Sequence, residues 1–134
     1  MELLIDFPGG SRVDAHFGQF TVATDQPPIA SAPSPFDLFL SSIGTCAGIY
    51  VLRFCSQRGL STDDLRIIER VHRNQQSGMV EKIDLEIQVP AGFPEKYRGS
   101  LIHSVELCAV KKHLENPPAF EITTKRIDLE ADPR

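Results

Sequence analysis

The stretch Ser34-Pro35-Phe36-Asp37-Leu38-Phe39-Leu40-Ser41-Ser42-Ile43-Gly44-Thr45-Cys46-Ala47, continuing through Tyr50, Val51 and Phe54 to Gly59, decides the fold. Ser34 offers a hydroxyl to the free amides of a first helical turn. Pro35 fits that turn without an amide of its own, and Asp37 complements the positive end of the helix dipole. Gly59 supplies the left-handed residue that closes a helix. The spacing therefore predicts a helix from Ser34 to about Arg58. At about 100° per residue, Phe36, Phe39, Leu40, Ile43, Ala47, Tyr50, Val51 and Phe54 form one apolar stripe. Leu38, Ile49 and Leu52 form a second on the opposite side, with only small residues among them. A helix apolar on two sides belongs in the middle of a molecule or of a dimer.

On the N-terminal side, Leu3 to Phe7, Arg12 to Phe17 and Gln19 to Thr24 are short, β-branched or aromatic, and separated by Gly9-Gly10 and Gly18. They predict a three-stranded antiparallel meander. On the C-terminal side, Leu65 to Arg73 and Val80 to Val89 read as long strands joined at Gln75 to Gly78. The second alternates Ile83, Leu85, Ile87 and Val89 with Asp84, Glu86 and Gln88. A second helix is expected from about Pro94 to Leu114 and a final strand from Ala119 to Ile127. The expected order is βββ-α-ββ-α-β. Strand runs broken by two helices argue an α+β fold in which antiparallel sheets flank helices.

The chain has 134 residues, of which 41% are hydrophobic and 24% charged, and it lacks an internal repeat, so residues 1–134 are expected to form one domain. Its formal net charge of −4 gives no electrostatic footprint for sequence-independent nucleic-acid binding. Asp37, Ser41, Ser42, Gly44 and Thr45 interrupt the longest apolar stretch, and Met1-Glu2-Leu3 lacks the basic start of a secretory signal. The expectation is a cytoplasmic protein without a membrane span. Three cysteines in a reducing compartment argue against a structural disulfide framework, so any disulfide would be transient and chemical.

Cys46 and Cys108 each stand three positions after a β-branched residue and directly before Ala, which puts one thiol on the same flank of each helix's apolar stripe. Two packed helices can bring such thiols together when their α-carbons approach within roughly 7 Å. Buried free cysteines also serve as small hydrophobes, and Cys55, about half a turn round the helix from Cys46, reads as packing only. A reactive thiol needs a cation, a helix N-terminus or a donor to favour its thiolate. Mid-helix Cys46 is expected to gain nothing from a helix end, and Arg12, beside the Gly9-Gly10 turn, is the most suitable basic residue of the meander. His16, His72, His103 and His113 are scattered, which leaves no metal-ligand pattern. Neither a phosphate loop nor a Gly-x-Ser-x-Gly elbow is present.

The run from Ser34 to Ala47, followed by Cys108 in a second helix, resembles the OsmC/Ohr family over nearly the whole chain. The resemblance implies an intertwined α+β homodimer, with a buried central helix carrying the first cysteine and sheets wrapped outside. It further implies a thiol peroxidase acting on organic hydroperoxides, with Cys46 peroxidatic, Cys108 resolving, Arg12 polarising the thiolate, and an external dithiol as reductant in place of a cofactor. Phe36, Asp37, Phe39 and Tyr50 are the candidate pocket residues. The alternative on the same scaffold is a non-catalytic protein, either binding a small apolar ligand or associated with stress. Phe36 stands where the family's peroxidases carry Glu, and Ala109 where a Pro often follows the resolving cysteine, which marks a divergent branch.

Overall fold

The structure is a computed structural model that describes residues 1–128. Its elements are β1 (Leu4–Gly9), β2 (Arg12–Phe17), β3 (Phe20–Thr24), α1 (Pro35–Gln57), β4 (Arg66–Arg73), β5 (Val80–Gln88), a 3-10 turn (Glu95–Tyr97), α2 (Arg98–Glu106) and α3 (Ala109–Glu115). The first three strands form one antiparallel sheet in the order β1-β2-β3, and β4 and β5 form a separate hairpin. Gly10 at φ +59 and Gly18 at φ +55 make the turns of the first sheet.

Helix α1 starts and stops where its sequence says. The Ser34 hydroxyl accepts from the Asp37 amide, and the Asp37 carboxylate accepts from the Ser34 amide, a reciprocal cap. Gly59 closes the far end at φ +64. By length and mean hydropathy α1 could cross a bilayer. Here its Ala47, Val51, Phe54 and Cys55 instead pack against Leu101 and Val105 of α2, with Leu65, Ile67, Leu85 and Ile87 of the hairpin side closing the core. Phe54 meets Tyr97 edge-on at 5.9 Å, and the Arg58 guanidinium lies 3.6 Å from the Phe54 ring centre.

Two expectations are corrected. The helix expected over Pro94 to Leu114 is broken into a 3-10 turn, α2 and α3, because Cys108 takes an extended backbone at φ −51, ψ 131. The strand expected over Ala119 to Ile127 does not form, and the order is βββ-α-ββ-α-α. A strand needs a ladder partner, and no described strand is paired with this segment, so Phe120 and Ile122 remain exposed. The N-terminal sheet packs chiefly on itself, and Ile5, Phe7 and Phe20 are exposed on it.

Candidate functional site

Cys46 sits in the middle of α1 and is half-buried, whereas Cys108 caps α3 and is only 2% exposed. The break after α2 brings them together. By leaving the helix at Cys108, the chain aims the first amides of α3 back at α1, where the N–H groups of Val110 and Ala109 donate to the Cys46 sulfur. The Cys108 thiol donates to the same sulfur. Burial pushes the Cys46 thiol up. The Cys108 thiol, the two amides and the Arg53 guanidinium together outweigh burial and hold it below the ordinary thiol range. Cys108 moves the other way: burial raises it, donating a hydrogen bond to Cys46 raises it further, and the amides of Lys111 and Val110 offset only part. One thiol is poised to ionise and its neighbour to stay protonated.

The mid-helix position of Cys46 thus does receive help from a helix end, that of α3 rather than its own. Arg12 is elsewhere within the chain. Its Nη2 donates to Asp14 at 2.7 Å in the N-terminal sheet, and the cation acting on Cys46 is Arg53, which the sequence reading passed over. Arg53 is seven residues after Cys46, a spacing that places two residues on one helix face and would have identified it. Cys55 is fully buried in the core, and burial raises its thiol.

At about 100° per residue, Phe39, Tyr50 and Arg53 all fall within about 40° of Cys46 on α1. Phe39 is partly exposed and stacks on Phe36 with ring centres 5.4 Å apart. Phe36 lies farther round and receives the Arg73 guanidinium at 5.1 Å. Asp37 is about half a turn from Cys46 and is committed to the α1 cap. An apolar cleft of about 590 Å³ runs between β5 and α2–α3, lined by Ile43, Ile83, Leu85, Ile102 and Val105 and reaching Cys108. Among the described residues, no group of three or more His, Cys, Asp or Glu could hold a metal ion.

A second cavity, of about 530 Å³, lies between the Ser41-Gly44-Gly48 side of α1 and β4, with Glu69 in its wall. Glu69 was missed in the sequence. The signal was available, because it interrupts the inward apolar row Ile67, Glu69, Val71 of β4.

A family model for OsmC-like proteins matches residues 28–123, from ahead of the α1 cap to beyond α3. The chain belongs to the OsmC-like protein family. Among solved structures, this OsmC-like chain is similar to an OsmC like protein from Mycoplasma pneumoniae, with a TM-score of 0.70 and 16% identity over 87% of each chain. It is also similar to a hypothetical protein from Aquifex aeolicus VF5, with a TM-score of 0.64 and 17% identity over 87% of each chain. Such identities carry the fold. No curated protein sequence matches the chain.

Proposed function

We propose that this OsmC-like protein is a thiol-dependent redox protein that reduces organic hydroperoxides, with Cys46 as the peroxidatic and Cys108 as the resolving thiol. The observation that carries the reading is the opposed pair, Cys46 within α1 and Cys108 at the head of α3, in which hydrogen bonding from the Cys108 thiol and two α3 amides pulls the Cys46 thiol down while Cys108 is held up. The Cys46 thiolate attacks the distal peroxide oxygen. The O–O bond breaks, the alkoxide leaves and takes a proton as alcohol, and Cys46 becomes a sulfenic acid. The Cys108 sulfur then attacks the Cys46 sulfur, an S–S bond forms, and the sulfenic hydroxyl leaves with the Cys108 proton as water. An external dithiol, itself oxidised to a disulfide, returns both thiols by exchange. No cofactor is required.

In this reading Phe39 and Tyr50, on the Cys46 face of α1 with Phe36 against Phe39, favour an organic over an inorganic peroxide. The working molecule in this reading is a cytoplasmic homodimer. The open edges of the β4–β5 hairpin and the exposed Ile49 and Leu52 support a second copy, whose N-terminal sheet would bring Arg12 to the site.

Reduced protein titrated with cumene hydroperoxide should lose two thiols per chain and yield a Cys46–Cys108 disulfide by peptide mass, with Cys55 still free. Cys46→Ser should abolish peroxide consumption, and Cys108→Ser should let a sulfenic acid accumulate on Cys46. Full retention of both thiols under excess hydroperoxide would overturn the reading. The apolar cleft at Cys108 favours one alternative, a non-catalytic binder of a small apolar ligand. A ligand seated there would shield Cys108 from alkylation without oxidising it.

A further inference from the structure

Arginine 53 stands on α1 seven residues beyond Cys46, on the same face, with Tyr50 between them one turn past the thiol. Long side chains on an α-helix lean toward its N-terminus, so a guanidinium borne at position 53 is carried back over residue 50 and toward residue 46. The contact is seen: the Arg53 guanidinium carbon lies 5.7 Å from the centre of the Tyr50 ring, within the range of a cation on an aromatic face. Arg53 and Tyr50 are thus in contact on the helix face that also carries Cys46.

We propose that Arg53, seated on Tyr50, is the chain's own activating cation for Cys46, a positioning residue that works within one subunit. The inference deepens the peroxidase reading and rests on it only for its use in turnover. The field of Arg53 on the thiolate is present in the single chain, where it lowers the Cys46 thiol together with the α3 amides. Within one chain, Glu106, which lines the cleft at Cys108, lies 3.7 Å from His103. Cys108 is the proton donor, and Lys111 of α3 supplies an amide to Cys108 while its ammonium lies 3.7 Å from Glu115. A guanidinium stays charged across the accessible pH range, so its effect on Cys46 does not titrate away.

The test is the rate of Cys46 alkylation by iodoacetamide against pH, resolved from Cys55 and Cys108 by peptide mass, at low salt and at 1 M NaCl. Arg53→Gln should move the Cys46 titration to higher pH and slow alkylation at neutral pH about three- to tenfold, while Arg53→Lys should restore most of the loss. Because Arg53 is exposed, salt should move the wild-type curve toward that of Arg53→Gln. A folded Arg53→Gln protein with the wild-type curve would overturn the proposal. So would a wild-type curve indifferent to salt, a measurement that needs no variant. Alkylation uses no peroxide, so an Arg53-dependent thiol in a protein inert to hydroperoxides would sink the peroxidase reading and leave this inference standing.

Discussion

On β4 the inward row runs Ile67, Glu69, Val71 against Ile87, Leu85 and Ile83 of β5, so one carboxyl faces α1 among aliphatic neighbours. The carboxylate end rests over a glycine. A Cβ built on Gly44 would stand 2.5 Å from Glu69 Oε1, nearer than side chains approach one another. Burial pushes the Glu69 carboxyl up, and the Gly44 amide offsets part of that rise. The folded protein therefore holds this proton to higher pH than the unfolded chain does. Its contribution to stability is complete below the unfolded carboxyl value and is lost as pH rises through the folded one. Urea unfolding at stepped pH should show that decline in the wild type and not in Glu69→Gln; parallel declines would clear Glu69 of responsibility. Ala is favoured over Gly inside a helix by about 1 kcal/mol, but Gly44→Ala must first push a flexible carboxylate aside. Alone it should change stability by less than about 1 kcal/mol, and in a Glu69→Ala background it should show the whole gain. Equal effects in both backgrounds would mean the two residues do not interact.

Among the elements, the break between α2 and α3 matters most to the chemistry. The backbone of Cys108 is extended, a conformation that a following proline also favours, and Ala109 is the first residue of α3. Proline at a first helical position costs the helix nothing because that amide has no partner within the helix, yet here the amide donates to Cys46. Ala109→Pro should keep the thermal melt within a few degrees of wild type while moving the Cys46 alkylation curve to higher pH. An unshifted curve would show that the Ala109 amide adds nothing to the thiolate. This break also marks the limit of what the sequence discloses. The α1 cap, the Gly59 stop and the β4–β5 hairpin were legible because each is specified by neighbours along the chain. Nothing in Leu107-Cys108-Ala109 is a Gly, Pro or capping residue, so the break is set by burial of Val105 and Cys108 against α1. Cys46 and Cys108 have matched settings in the sequence, but in the fold only Cys46 lies within a helix, and Cys108 stands in the gap between α2 and α3. The contribution of Arg53 to Cys46 is readable only from its seven-residue spacing on α1.

At the scale of the molecule, one chain exposes 10693 Å². A folded monomer of 14.9 kDa is expected to expose about 7,000 Å² from the size scaling of globular proteins. The excess, roughly 3,700 Å², is several times the area of about 800 Å² that a standard interface removes from one partner. Exposed apolar side chains stand on the N-terminal sheet at Ile5, Phe7 and Phe20, on the outer face of α1 at Ile49 and Leu52, and at Phe120 and Ile122. These are unpaired edges and apolar faces, which a second copy would cover by strand addition and helix packing. Sedimentation of the wild type should therefore give twice 14.9 kDa, with a melting temperature that rises with protein concentration. Placing charge at the two central apolar positions, Ile49→Glu with Leu52→Glu, should dissociate it, because two carboxylates per copy would be buried without partners. If the dissociated chain keeps the low Cys46 alkylation pKa, the activating groups lie within one subunit, as Arg53 and the α3 amides do. If that pKa returns to the ordinary thiol range in a chain that remains folded, the second copy and its Arg12 supply the activation. A wild type that sediments as a monomer at micromolar concentration would remove the second copy from the site altogether.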